Sequence, residues 1–343
     1  MSHRSFASLQ VLGVLILAPL ATVLVAGQTR PSPGSREAAA GKYTPPRTVD
    51  GHPDFQGVWA NNNATPLERP AALAGKPLLT DVEVAALKAK AGELFAGDGD
   101  AAFGDDVFTA IVTGANLFKS SDATTGNYNQ FWIADRDFDN RTSLITDPAD
   151  GRVPPLTAEA QRRRAGANLD RSQRGVDGPE NRTLSERCIT FGVPRLQAAY
   201  NSYIQIFQTT NTVAIVMETI HDARLIPLDG RPHIGKTLRQ WHGDSVGRWE
   251  GDTLVIDTTN YSPKSDFRGA HEHLHVVERL TRVSPNRIDY EIRIDDPATW
   301  ARPWTVMIPL KLAHEQIYEY ACHEGNDGMA GILEGARAEE SRK

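Results

Sequence analysis

Cysteine is nearly absent: Cys188 and Cys322 are the only two in 343 residues. Neither has a C-x-x-C partner, which excludes a zinc site built on cysteine pairs. An excess of positive charge is also lacking, with 37 Lys and Arg against 43 Asp and Glu and a formal charge of -6. That balance speaks against nucleic acid as a partner, because phosphate binding needs a clustered cationic face. The basic run Arg162-Arg163-Arg164 reads as a solvated helix face. No nucleotide-binding loop and no cofactor fingerprint occurs. The expectation is therefore chemistry without an organic cofactor or resident metal.

Long apolar runs are missing beyond the first residues. Met1 to Gln10 holds Arg4 and no acid, Val11 to Ala26 is apolar apart from the break at Pro19, and Val25-Ala26-Gly27 supplies small residues for cleavage. Residues 1–27 read as a secretory signal, since a retained anchor needs about 20 apolar residues. No stable membrane span is expected after its removal, and the mature chain is expected in the periplasm or outside the cell. An oxidising compartment makes a Cys188–Cys322 disulfide the expected state, with two buried thiols as the alternative.

What is present is a chain 40% hydrophobic, long enough for a sizeable core. Residues 28–56, with Pro31, Pro33, Pro45, Pro46 and Pro53, read as a linker or extended arm. Phe55 to Trp59 would anchor it. Residues 57–186 form a mixed helical and loop region. There, Thr80-Asp81-Val82-Glu83 has capping-box spacing before a helix over 81–95, and Asp98, Asp100, Asp105 and Asp106 make an acidic loop without EF-hand order. Thr142 to Asp147 reads as a strand, Thr157 as the cap of a helix through Arg164, and 168–181 as loop.

Residues 187–338 change character. Tyr203–Gln208, Thr212–Ile220, Ala223–Leu228, Val246–Trp249, Thr253–Thr258, His273–Val283, Arg287–Asp295, Trp304–Leu312 and Gln316–Ala321 read as strands joined mostly by short turns, so neighbours should pair antiparallel. Ile288, Tyr290, Ile292 and Ile294 alternate with charged residues, giving one buried and one wet face. The expected fold is mostly β: an antiparallel up-and-down barrel, lipocalin-like by analogy, with N-terminal helical and extended additions and a short C-terminal helix capped by Asn326 or Asp327.

The hairpin over 241–260 gathers the polar groups. His221, Asp222 and Arg224 can form an acid–base unit or an ordinary capped turn. His242 and Asp244 share a strand face and can form a dyad, while Ser245, immediately after them, points the other way, against a Ser-His-Asp triad. Glu278 stands on the apolar stripe of Leu274, Val276 and Leu280, as a general acid or base, or paired with Arg248 or Arg293. His271, His273 and His275 share a face, but the outer two lie roughly 13 Å apart along a strand, so a metal would need a ligand from elsewhere. Arg248, Trp249, His275 and Tyr320 are the expected substrate contacts. Tyr318 stands beside Tyr320 as a phenol donor or as packing.

Trp241 to Asn260, His221-Asp222-Ala223-Arg224 running into Leu228-Asp229-Gly230-Arg231, and Tyr320-Ala321-Cys322-His323-Glu324-Gly325-Asn326 together resemble an uncharacterised family of exported bacterial proteins, over most of residues 140–335. The resemblance implies export and no particular activity. The expected function is a lyase, hydratase, isomerase or hydrolase acting on a small organic or sugar-like molecule in a barrel pocket. The alternatives are a ligand-binding barrel without catalysis and a metal-dependent enzyme using the 271–275 histidines. The sequence fixes no oligomeric state.

Overall fold

A computed structural model describes residues 43–95, 108, 111–112, 136–196 and 201–342. The expected signal segment and the expected acidic loop at 98–106 lie outside these. Ten strands make one antiparallel sheet: β1 (Gly57–Ala60), β2 (Ile145–Asp147), β3 (Tyr203–Gln208), β4 (Thr212–Met217), β5 (Ala223–Pro227), β6 (Asp244–Glu250), β7 (Thr253–Thr259), β8 (His275–Ser284), β9 (Arg287–Asp295) and β10 (Trp304–Ala313). Their order is β5-β4-β3-β1-β10-β9-β8-β7-β6, with β2 also on β10. β1 and β2 come from the 57–186 segment yet belong to this same sheet.

Alternation decides which face is buried. On β9 the Ile288, Tyr290, Ile292 and Ile294 side chains are buried, and register sets Ile294 opposite Val276, Ile292 opposite Glu278 and Tyr290 opposite Leu280. Trp304, Val306 and Ile308 continue this layer on β10, and Trp59 adds to it from β1. Each such aromatic or branched side chain contributes roughly 1.5–3 kcal/mol on burial.

The expected closed barrel does not form. β5 and β6 stand at opposite ends of the ladder, and no pairing joins them among the described residues. They nevertheless touch through side chains: Arg224 Nη2 donates to Ser245 Oγ at 3.0 Å. A Cβ on Gly247 would lie 2.8 Å from Ile226 Cγ2, so a larger residue on β6 there would push the two edges apart. The sheet thus curls until its edges meet as a packed seam. Its inner face is filled by fully buried Trp59, Trp304, Ile256, Ile292 and Ile308. A gap beside Tyr290 and Leu310 measures only about 30 Å³, room for a water and not for an organic ligand.

Several local expectations change. Gln316–Ala321 is irregular rather than a strand, because β9 occupies one side of β10 and β1 and β2 the other. The helix capped by Thr157, α2 after α1 (Asp81–Phe95), runs Ala158–Arg174 and takes up half of the expected loop. Gly166 is tolerated inside it at a cost of about 1 kcal/mol, and Glu159–Arg163 and Asp170–Arg174 pair along its surface. α1 begins as expected, with the Thr80 amide donating to Glu83 Oε2 at 2.8 Å. α3 (Asp327–Glu340) is capped by Asn326. No helix of the described residues is long and apolar enough to cross a membrane.

The described part of the arm lies along the β6–β7 hairpin. Arg47 pairs with Asp252 at 2.8 Å, and His52 and Phe55 stack on Trp249 at 4.6 and 5.7 Å. The expected substrate contacts Trp249 and Arg248 are engaged within the protein instead: Trp249 clasps the arm and Arg248 pairs with Glu250. Cys188 and Cys322 form a disulfide across 134 residues. Closing so long a loop removes entropy from the unfolded chain, so reduction is expected to lower the unfolding free energy by about 2–5 kcal/mol. Urea unfolding with and without reductant measures this; an unchanged midpoint contradicts it.

Candidate functional site

Where β5 and β6 diverge from the seam, the gap opens into a groove of about 750 Å³. Asp222 and Arg224 line one side, His242, Asp244 and Ser245 the other, and Lys264 stands at its rim. Four of the six side chains expected to be catalytic thus border one groove.

Local backbone geometry puts them there. The β4–β5 turn passes through Ile220 and His221 at φ 57° and 45°, which lays the Asp222 side chain toward Thr190. His242 is held by a bend in which Gly243 has φ +70° and sits against Thr259 O, 2.5 Å from where a Cβ would be. Only glycine fits both the conformation and the approach. Ser265 Oγ donates to Trp241 O at 2.9 Å and fixes the preceding residue.

Thr190 is the centre of the contact. Its Oγ1 lies 2.8 Å from Asp222 Oδ2 and 2.8 Å from His242 Nε2, and it accepts from the Gly192 amide at 2.9 Å. A hydroxyl has one proton and two lone pairs. A carboxylate can only accept, so the Thr190 proton goes to Asp222, and His242 must donate from Nε2. Nε2 is also 3.4 Å from Asp222 Oδ2. Of the two neutral tautomers, this contact therefore selects the one with its proton on Nε2, which leaves the lone pair on Nδ1; Nδ1 has no partner among the described residues. Thr190 stands two residues from Cys188, so the disulfide pins the segment that orients the imidazole.

Behind the groove lies a buried ion pair. Arg224 Nη1 and Nη2 reach Glu278 Oε1 and Oε2 at 2.9 and 2.6 Å, and Nη2 also meets Thr258 Oγ1 at 3.2 Å. The Tyr290 hydroxyl donates to Glu278. The partner of Glu278 is thus Arg224, not Arg248 or Arg293. Burial works against the Arg224 cation, but the facing carboxylate more than offsets it and raises its pKa. Burial, with the Glu278 charge, holds the Tyr290 phenol well above its ordinary value. Burial likewise raises that of Tyr261.

Asp244 belongs to a second chain of contacts on the outer face. It accepts from His233 Nδ1 at 2.8 Å and from the Ile234 amide at 3.0 Å, and Asp257 Oδ1 lies 3.1 Å from His233 Nε2 and 3.0 Å from His275 Nε2. Asp244 therefore pairs with His233 and not with His242. His275 pairs with Asp257 and stands apart from the groove lining. Its pKa is raised, chiefly by the hydrogen bond to Asp257. Burial pushes the Asp257 carboxyl up, but the hydrogen bonds and charges of His275 and His233 outweigh it and leave its pKa lowered.

A raised imidazole pKa contributes stability that is complete below 6.5 and lost as pH rises through the folded value. A lowered carboxyl pKa contributes above 3.8 and fails only in acid. The melting-temperature advantage of the wild type over His275→Gln is accordingly expected to be larger near about pH 5.5 than near about pH 9. A constant or growing gap would be inconsistent with the pairing.

The remaining expected residues disperse. His221 is exposed, and its ring makes no described contact with Asp222 or Arg224. His271 Nδ1 meets Ser265 O and His273 is exposed, so the three histidines do not converge. Among the described residues no group of three or more His, Cys, Asp or Glu side chains is arranged to hold a metal ion. Tyr320 packs edge-on against Phe191 at 6.4 Å, and Tyr318 is 71% exposed.

The chain matches no family model, no curated protein and no solved structure.

Proposed function

We propose that this is an exported enzyme that uses side chains alone to move a proton at a carbon next to a carboxylate, in the seam groove rather than inside a barrel. The observation that carries the reading is the Thr190 hydroxyl, whose commitment to Asp222 leaves His242 Nδ1 as a free base. A base oriented by a carboxylate-backed hydrogen bond is the usual form of a histidine general base. Lys264, with no carboxylate partner among the described residues, supplies the charge that steadies a substrate carboxylate as electron density builds on it. The network also disfavours a hydroxyl nucleophile. The Thr190 proton is already given to Asp222, and Ser245 is held by Arg224 and Thr258.

The filled inner face offers no lipocalin-type calyx, so a binding role would also have to use the seam groove. Export is supported by the disulfide, which persists in oxidising compartments.

The test is solvent exchange. Wild-type protein in deuterated water is incubated with a panel of α-substituted carboxylates and uronates, and the α-proton signals are followed by NMR. Loss of signal, or new olefinic signals, is expected for a subset with wild type and with His273→Gln, and not with His242→Gln. Exchange that survives in His242→Gln, or a panel left untouched by wild type, contradicts the reading.

A further inference from the structure

The seam groove is not isolated. A second groove of about 640 Å³, which Thr190 lines, shares Trp241 and Lys264 with it. A third, of about 670 Å³, shares Arg171 and Asp266 with the second and runs beside α2. Each is in the upper part of the roughly 300–1,000 Å³ that holds one small ligand, and together they form a track suited to a chain of linked units.

Its chemistry differs from that of the rest of the molecule. The protein carries -6 in total, yet Lys264, Arg187, Arg171, Arg164 and Arg268 follow one another along this track. None has a carboxylate partner among the described residues. The acids lining the second and third grooves are Glu180, Asp266 and Glu68. The run Arg162-Arg163-Arg164 is thus not simply a solvated face: Arg163 is tied to Thr299 Oγ1 at 3.0 Å, and both Arg163 and Arg164 line the third groove. Two large aromatics also stand open, Trp241 at 37% and Phe191 at 42% exposure. Isolated exposed aromatics are ordinary, but here both line a groove, and Trp241 sits at the junction with His242.

We infer that the track binds an acidic oligosaccharide of uronic acid units, and that one of its glycosidic bonds is broken by elimination at His242; the second part rests on the function proposed above. A polyuronate meets both ends of the track. Its repeated carboxylates answer the line of unpaired cations, and its sugar faces suit Trp241 and Phe191. Each unit also carries a C–H next to a carboxylate with a glycosidic oxygen on the neighbouring carbon. Nucleic acid offers the charge without that C–H, and neutral glycans offer the ring without the charge.

In the reaction, His242 Nδ1 takes the proton from the carbon bearing the carboxylate. The released electron pair forms a double bond to the neighbouring carbon, whose bond to the glycosidic oxygen breaks. That oxygen takes a proton back from the imidazolium, giving a shortened chain and an unsaturated uronate, with no change in overall oxidation state.

The experiment measures binding and turnover separately. Full-length mature protein is titrated, by calorimetry at low and moderate salt, with oligogalacturonate, oligoalginate, a neutral malto-oligosaccharide and a single-stranded oligonucleotide. Turnover is followed by the ultraviolet absorbance of the conjugated product. Tight binding of an acidic oligosaccharide, weakened by salt and by about tenfold or more in Trp241→Ala and in the surface double variant Arg187→Gln/Lys264→Gln, supports the track. His242→Gln should bind like wild type and produce no absorbance.

Absence of acidic-oligosaccharide binding, equal binding of the neutral sugar, or tighter binding of the oligonucleotide overturns the inference. Binding that responds to Trp241→Ala but is followed by no His242-dependent absorbance leaves the track standing and overturns the elimination step.

Discussion

Arg224→Met is expected to lower the unfolding free energy by about 3–5 kcal/mol. Glu278 is fully buried and Arg224 is 5% exposed, so removing the guanidinium leaves a carboxylate in the core with only the Tyr290 hydroxyl as a remaining described partner. Ser245 and Thr258, which now share Arg224 Nη2, still bond each other at 3.0 Å, so they soften the loss only slightly. Replacing both partners, Arg224→Met with Glu278→Leu, is expected to recover most of the stability, because the pair's attraction roughly balances the cost of desolvating two ions. Urea unfolding of the three variants separates these effects. A single-variant loss below about 1 kcal/mol would mean that the pair is wetter than its burial indicates.

The second large effect is catalytic. His242→Gln is expected to reduce kcat by about 10²–10⁴ with little change in KM, because glutamine can keep the contact to Thr190 but offers no basic lone pair. Asp222→Asn should lower kcat less. It still accepts the Thr190 proton through its carbonyl, but it no longer places a negative charge 3.4 Å from Nε2 to stabilise the imidazolium formed in the reaction. Steady-state kinetics on the substrate found by exchange decides this. A raised KM with unchanged kcat in His242→Gln would make the histidine a binding group and not a base.

Much of the sheet was legible because its signal is local. β9 alternates over its whole length, and the bounds of β3 and β9 agree with the sequence reading. Turn residues such as Thr210-Asn211 and Glu250-Gly251 stand between strands that pair antiparallel. β1 was read only as an anchor, since four residues are too few to show a period. It is a strand because Trp59 fits between Ile204 and Leu312. Closure was not legible at all. Whether the edges of β5 and β6 pair or only touch depends on the accumulated twist of the intervening strands, which no short window of sequence carries.

The site was legible by residue type and not by partnership. Asp222, Arg224, His242 and Asp244 were singled out and do line one groove, but their contacts cross the chain: Asp222 with Thr190 and His242, Arg224 with Glu278, Asp244 with His233. Sequence neighbours such as His221 and Asp222 looked paired and are not, because the left-handed turn at Ile220 and His221 sends them apart. Thr190 and His233 were missed. Each sits in irregular chain, with no periodicity to set it apart from an ordinary loop residue.

Nitrogen NMR of histidine-labelled protein tests the central claim most directly. With the His242 resonances assigned by their loss in His242→Gln, the account predicts that the neutral form of the ring is the tautomer protonated on Nε2 and bare on Nδ1, and that the tautomer balance becomes mixed in Thr190→Val. A His242 ring protonated on Nδ1, or one unaffected by Thr190→Val, would contradict the arrangement from which the base, the groove chemistry and the proposed reaction all follow.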